Sequence, residues 1–303
     1  EQLKLKTFSK IPFINYINES SFSSLLEILK KDDDITPINN QIKFSIQEAF
    51  RSIVTSLRYL DLDKKLKSIS ITSSIPSEGK SSCNILLAKA LCELDKKVLL
   101  IDADMRRPKI HKLLDLNNIR GLSTLMANPE LSFKDVMQDV KFIKNLKVIS
   151  AGLQPPNTDK IFTSKRFENF IKELEETSFD YLLFDSPPIL GMSDSILLSD
   201  HLDGLILLVS VGKVNRDLPA EAISKIKQSK ANFLGIITNL LKEDFVSKKE
   251  IDQYSYYQNY YNNENESDPK KLATESTNLQ NKNNHFIEII KNIYRKFTNW
   301  IDK

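Results

Sequence analysis

Val98-Leu99-Leu100-Ile101-Asp102-Ala103-Asp104-Met105-Arg106-Arg107 reads as a buried strand that ends in two carboxylates and two guanidiniums. Upstream of it runs Ser74-Ile75-Pro76-Ser77-Glu78-Gly79-Lys80-Ser81, and downstream Tyr181-Leu182-Leu183-Phe184-Asp185-Ser186-Pro187-Pro188. A Gly-Lys-Ser triplet alone arises often by chance. Here a β-rich stretch precedes it, a helical stretch follows it, and two aspartate-tipped strands lie beyond it. In that setting successive backbone N–H groups and a helix N-terminus form a cradle for polyphosphate. Lys80 is placed to reach the β- and γ-phosphates, and the Ser81 hydroxyl to bind Mg²⁺.

Outward from these three stretches, strand and helix alternate. Ile69–Thr72, Val98–Ile101, Leu146–Ser150, Tyr181–Phe184, Leu205–Val211 and Phe233–Thr238 read as strands. Helical patterns fill 41–60, Lys80–Leu94, Lys165–Glu176 and Pro219–Lys227. Such alternation implies right-handed crossovers and a parallel sheet. The apolar runs at Val98–Ile101 and Leu205–Val209 suit central parallel strands. The fold class expected is α/β, a P-loop NTPase-like parallel sheet covered by helices on both faces, with a flexible Tyr-rich C-terminal tail.

Composition narrows the rest. Of 303 residues, 43 are Lys or Arg and 40 are Asp or Glu, for a net charge of +3 with no long basic stripe. No nucleic-acid partner is therefore expected. No run approaches about 18 consecutive apolar residues, the length a spanning helix needs. The chain opens on Glu1, and the expectation is a piece of a longer protein. Cys83 and Cys92 share one helix at a separation of about 13 Å, too far for a disulfide. His111, His201 and His285 have no ligand-like spacing. Four segments follow: a polar linker at 1–40, an α/β domain at 41–248, a Gln/Asn/Tyr/Ser-rich tail at 249–284 expected to be flexible, and an amphipathic helix at 285–303. The apolar face of that last helix carries Phe286, Ile289, Ile290, Ile293, Phe297, Trp300 and Ile301, which suits a membrane surface or a partner equally.

The candidate nucleotide-binding set is Ser74, Pro76, Ser77, Glu78, Gly79, Lys80, Ser81 and Ser82. Asn239, at a strand end, is a candidate for the adenine edge, with a plain turn residue as the alternative. Ser81, Asp102, Asp104 and Asp185 are candidate metal ligands. Asp102 and Asp104 stand two apart at a strand end and so point to opposite sides. One can face the metal and the other the incoming nucleophile. Asp104 with Arg106 and Arg107 also fits a surface salt-bridge cluster.

These motifs, together with Tyr254, Tyr256, Tyr257, Tyr260 and Tyr261, resemble the bacterial tyrosine kinases, cytoplasmic domains of polysaccharide co-polymerases. The likeness covers about residues 41–261. It includes Gly152-Leu153-Gln154-Pro155-Pro156-Asn157 and a helix bearing Glu48 and Arg51, similar to the family's oligomerisation motif Glu-x-x-Arg-x-x-Arg. Val54 stands at the last position of that motif here, with Arg58 a turn further on. Partition and division-site ATPases usually carry an extra lysine early in the loop, and this chain does not.

The resemblance implies an ATP- and Mg²⁺-dependent protein-tyrosine autokinase. Lys80, Asp102, Asp104 and Arg106 carry the catalysis, and the five tail tyrosines accept phosphate, in trans. Arg106 steadies the γ-phosphate or binds a phosphotyrosine. Asp102 is the candidate base, since a free phenol has a pKa near ~10. Homo-oligomerisation, possible as a ring, a membrane-anchored activator or an N-terminal membrane domain of the parent, and polysaccharide export machinery are the implied partners. The implied location is the cytoplasmic face of the plasma membrane. A partition-type ATPase and a non-catalytic nucleotide-binding scaffold remain the alternatives.

Overall fold

The computed structural model describes residues 7–12, 37–61 and 66–240. The tail at 249–284 and the helix at 285–303 lie outside the described residues. Eight strands form one sheet: β1 (Thr7–Pro12), β2 (Ser68–Ser73), β3 (Val98–Asp102), β4 (Met137–Asp139), β5 (Leu146–Ile149), β6 (Tyr181–Asp185), β7 (Gly204–Val211) and β8 (Phe233–Leu240). Their spatial order is β1-β8-β7-β2-β6-β3-β5-β4. Every pairing is parallel except β4 with β5. The six strands expected from the sequence are all present, most one or two residues longer than read.

The segment read as a linker contributes to the fold at both its ends. Thr7–Pro12 joins the sheet edge beside β8, with Pro12 opposite Leu240. Proline is tolerated there because an edge strand can forgo one donor. Helix α1 (Pro37–Asp61) begins at Pro37 rather than at 41, since a first helical position has no intrahelical use for its N–H. Ile46, Ala49, Phe50, Ile53, Val54 and Leu57 are buried along one face of α1, the spacing of an amphipathic helix.

Helix α2 (Lys80–Cys92) follows β2. Short helices α3 (Ile110–Leu113), α4 (Leu122–Ala127) and α5 (Phe133–Val136) lie between β3 and β4. Helices α6 (Thr158–Phe162) and α7 (Lys165–Glu175) precede β6, α8 (Asp194–Ser199) follows it, and α9 (Asp217–Lys227) precedes β8. Alternate residues of β3, β5 and β6 feed two separate cores. Val98 and Leu100 pack with Ile53, Leu57, Leu87 and Leu91 of α1 and α2. Leu99 and Ile101 pack with Phe162, Phe167, Phe170 and Leu198 of α6, α7 and α8. A period-2 strand buried on both faces explains why β3 and β6 are apolar without interruption. The Phe162 and Phe167 rings meet edge to face at 5.2 Å, a preferred aromatic geometry.

The N-terminal end of β2 is pinned by one carboxylate. Asp203 Oδ2 accepts from Lys67 N at 2.8 Å, Ser68 N at 2.8 Å and Ser68 Oγ at 2.9 Å. Asp203→Ala strands two backbone donors at the start of a central strand. It is expected to lower stability by about 2–3 kcal/mol, read as a lower urea midpoint at an unchanged m-value.

Candidate active site

The order β2-β6-β3 sets three strand tips side by side, and the register aligns them: Ile71 opposite Asp185, and Asp185 opposite Asp102. Strand β2 is also where the chain order turns, with β7 on its other flank. Crevices at the carboxyl ends of parallel strands near such a reversal are where ligands bind in open α/β sheets.

The loop from Ser74 to Gly79 is held from several directions. Ser77 and Gly79 take positive φ angles of 66° and 98°. Gly79 relieves one of these for lack of a Cβ, while Ser77 bears the other. The Glu78 side chain is fully buried. Its Oε1 accepts from Ile75 N and its Oε2 from Ser210 N, both at 2.8 Å. Its carbonyl accepts from Ser210 Oγ and Asn239 Nδ2, both at 3.0 Å. Burial pushes the Glu78 carboxyl up, and the two amide bonds pull it back. Ile189 N donates to Ser73 O at 2.8 Å and Leu190 N to Ser74 O at 3.2 Å. Lys213, from the turn after β7, donates to the Ser77 carbonyl. Gly79 caps α2 with no side chain of its own, so the first amides of a 13-residue helix open onto the loop. That is an anion site by construction.

Opposite those amides stand the carboxylates. Ser81 Oγ donates to Asp185 Oδ2 at 2.5 Å, and Asn84 Nδ2 donates to Asp185 Oδ1 at 3.1 Å and to Lys80 O at 3.2 Å. Asp185 is fully buried, and burial pushes its carboxyl up to about 6 against the opposing pull of Lys80 and Ser81. Lys80 is 8% exposed. Burial depresses its ammonium, while Asp185, Asp104 and Glu78 resist that shift. Asp102 Oδ2 accepts from Lys109 N at 3.2 Å and Ile110 N at 3.1 Å. Asp102 Oδ1 is buried and meets no hydrogen-bond partner among the described residues. Burial, then the charges of Asp185 and Asp104, hold the Asp102 carboxyl well above its ordinary range. Asp104 accepts from Arg107 N at 3.0 Å.

A site in which burial and mutual repulsion lift two carboxyls is short of positive charge. The Ser81 hydroxyl, the Asp185 carboxylate it meets and the Asp104 carboxylate whose charge acts on Asp185 suit a hard, oxygen-ligated cation. No cluster of three His, Cys, Asp or Glu able to hold a metal exists among the described residues. The remaining ligands must then come from phosphate oxygens and water.

Arg106 falls elsewhere. Its Nε donates to Asp194 Oδ2 at 2.7 Å, and its Nη2 to Asp194 Oδ1 at 3.2 Å and Asp159 Oδ1 at 3.4 Å. Thr158 Oγ1 adds a bond to Asp194 Oδ2 at 2.9 Å. The guanidinium expected to steady the γ-phosphate or to bind a phosphotyrosine is here paired with a buried carboxylate at the start of α8. This bidentate pairing ties the β3 loop to α6 and α8. Asn239, expected at the adenine edge, is fully buried with its amide nitrogen on Glu78 O, which favours support of the loop. Ser74 and Ser82 are buried and Pro76 is exposed. Glu48 and Arg51 form an exposed ion pair, whereas Val54 is buried in the core. Tyr254, Tyr256, Tyr257, Tyr260 and Tyr261 lie outside the described residues. Asn84, Ser210, Lys213 and Asp194 are the site residues not foreseen. Only Gly212-Lys213, closing an apolar strand, left a trace that sequence reading could have used.

The family described as ParA, NUBPL iron-transfer P-loop NTPase, matches residues 66–283. The chain is 35% identical over 213 residues to the tyrosine-protein kinase YwqD of Bacillus subtilis, covering 69% of this chain and 85% of that protein. It is 30% identical over 216 residues to the tyrosine-protein kinase CpsD of Streptococcus agalactiae, covering 71% and 89%. Among solved structures, the chimerical protein CapA2B2 superposes with a TM-score of 0.67 at 28% identity, covering 78% of this chain and 95% of that one.

Proposed function

The chain belongs to the bacterial tyrosine-protein kinases on the P-loop NTPase fold, and from that premise we propose that it transfers the γ-phosphoryl group of ATP to Tyr254, Tyr256, Tyr257, Tyr260 and Tyr261 of a second copy. The observation that carries this reading is the alignment of Lys80, the Ser81–Asp185 pair and Asp102 at three neighbouring strand tips.

Phosphoryl transfer is chiefly a matter of position and charge. The α2 amides and Lys80 bind the phosphates. Ser81, Asp185 and Asp104 would hold Mg²⁺, which when bound would neutralise charge on the β- and γ-phosphates. Asp102 takes the phenol proton. The tyrosine oxygen bonds to the γ-phosphorus, the bond from that phosphorus to the bridging β–γ oxygen breaks, and ADP leaves. A carboxyl lifted by burial is a better proton acceptor than an ordinary one, which narrows the gap to the phenol. Each transfer adds about −1.5 to −2 charge to the acceptor segment. Repulsion among charged tails then loosens an assembly built in part through the α1 face that bears Glu48 and Arg51.

A membrane-anchored partner and a role in polysaccharide synthesis or export at the cytoplasmic face of the membrane belong to the same proposal. No described helix is long and apolar enough to cross a membrane. Iron transfer has no support here, because the two cysteines are both buried within α2. A partition-type ATPase is the competing reading. Incubation of the full chain with γ-labelled ATP separates the two. Label on tyrosines within 254–261 is expected; free phosphate with unlabelled protein would establish the ATPase.

A further inference from the structure

Ile119 and Leu153 are apolar, 64% and 62% exposed, and fixed in place by an unusual amount of hydrogen bonding. Asn118 exchanges both bonds of its amide with Gly152, Nδ2 to O and N to Oδ1, each at 3.0 Å. Ser123 Oγ donates to Leu153 O at 2.5 Å. Asn117 is bound twice by Gln138, and Ser150 Oγ bonds to the carbonyls of Asn117 and Arg120. Gly121 lies so close to this segment that a Cβ there would meet Ser150 O at 2.2 Å. Two adjacent segments are thus locked together, and each turns one large apolar side chain into water. The segment with Leu153 continues from the tip of β5, the neighbour of β3, and the segment with Ile119 is bonded to it there, at the end of the sheet that carries Asp102 and Asp104.

We propose that Ile119 and Leu153 form a docking platform for a spare tyrosine ring of the acceptor segment while another tyrosine of that segment occupies the active site. The proposal rests on the autokinase reading above and names how its substrate is held. The occupant follows from the sequence of 254–261. Tyr254, Tyr256, Tyr257, Tyr260 and Tyr261 supply a pair at every separation from one to seven residues. In an extended chain these separations run from about 3 to about 23 Å. Whatever the distance from platform to catalytic tip within that range, some pair spans it. A phosphorylated ring leaving the site can be replaced while another ring keeps the segment attached. Exposed Arg120, next to Ile119 in the first locked segment, complements Glu264, Glu266 and Asp268 just beyond the cluster. The platform confers selectivity for segments with several tyrosines over segments with one.

The test uses the full chain as enzyme and two synthetic peptides of residues 250–268, one with all five tyrosines and one with four changed to alanine. Wild type is expected to show a KM for the five-tyrosine peptide about tenfold below that for the single-tyrosine peptide, the scale of two side chains buried against a ring. In the double variant Ile119→Ser/Leu153→Ser, that advantage should vanish, with the single-tyrosine KM and kcat unchanged. The conservative pair Ile119→Leu/Leu153→Met should restore it. Equal KM values for the two peptides in wild type, or an undiminished advantage in the serine variant, overturns the platform alone. Absence of phosphate from both peptides with wild type overturns the kinase reading, and the platform with it.

Discussion

Lys80→Met is expected to lower the rate of tyrosine phosphorylation by about a thousandfold while leaving the fold intact. The Lys80 ammonium is buried at the base of the loop; burial lowers its pKa, and Asp185, Asp104 and Glu78 oppose that shift. In the proposed transfer the ammonium meets the charge that develops between the β- and γ-phosphates. Removing one preorganised electrostatic group of this kind typically costs about 10²–10³ in rate. On the proposed role Lys80 contacts both the β- and γ-phosphates, so the upper end is expected. Methionine matches the lysine stem in length and removes the desolvation penalty of a buried charge, so the circular dichroism spectrum and urea midpoint should change little. The measurement is initial phosphotyrosine incorporation at saturating ATP. A rate within tenfold of wild type would remove Lys80 from the phosphate site and leave the loop as a structural turn.

The sequence displayed those parts of the molecule whose cause is local. β3, β6 and β7 are legible because a central parallel strand is buried on both faces and must be apolar throughout. The loop is legible because Gly79, Lys80 and Ser81 act through backbone geometry at consecutive positions. β4 and the helices α3, α4 and α5 are not, since three to six residues are too few to show a period. β1 escapes for another reason: its polar residues and Pro12 suit an edge, and its partner β8 lies more than two hundred positions away. The same distance effect divides the site residues. Ser81 and Asp185 could be paired from motif knowledge. The grip of Ser210 and Asn239 on Glu78 depends on two strands brought together only by folding. Arg106 shows the limit most clearly. Its place beside two aspartates invites a phosphate role, yet Asp194, 88 positions on, claims it with two bonds. Nothing in the local pattern of Ser193-Asp194 announces that a guanidinium will arrive there.

Asp102→Asn separates catalysis from folding, because the two respond in opposite directions. On the proposed role of proton acceptor, Asp102 would contribute general-base catalysis, typically worth about 10²–10⁴ in rate. An amide cannot take the phenol proton, so phosphotyrosine formation should fall by that amount. Nucleotide affinity should fall far less, since the loop amides and Lys80 are untouched. Stability should rise. The Asp102 carboxyl is lifted well above its ordinary value by burial and by Asp185 and Asp104, so its charged form is disfavoured in the folded state relative to the unfolded chain. A group lifted in this way gives its full stabilisation below the unfolded pKa, near 3.8, and loses it as pH rises through the higher folded value. At neutral pH wild type therefore carries a penalty. Asparagine keeps the acceptor for Lys109 N and Ile110 N, carries no charge, and can turn an N–H toward the space facing the orphaned oxygen. The variant should gain on the order of 1–2 kcal/mol at pH 7, and that gain should shrink as pH is lowered toward 4. Paired urea titrations at the two pH values, run beside phosphotyrosine assays, read both effects. A variant that is less stable than wild type at pH 7 would show that the Asp102 charge is compensated in the folded protein. A variant that still phosphorylates within tenfold of wild type would pass the role of base to Asp104.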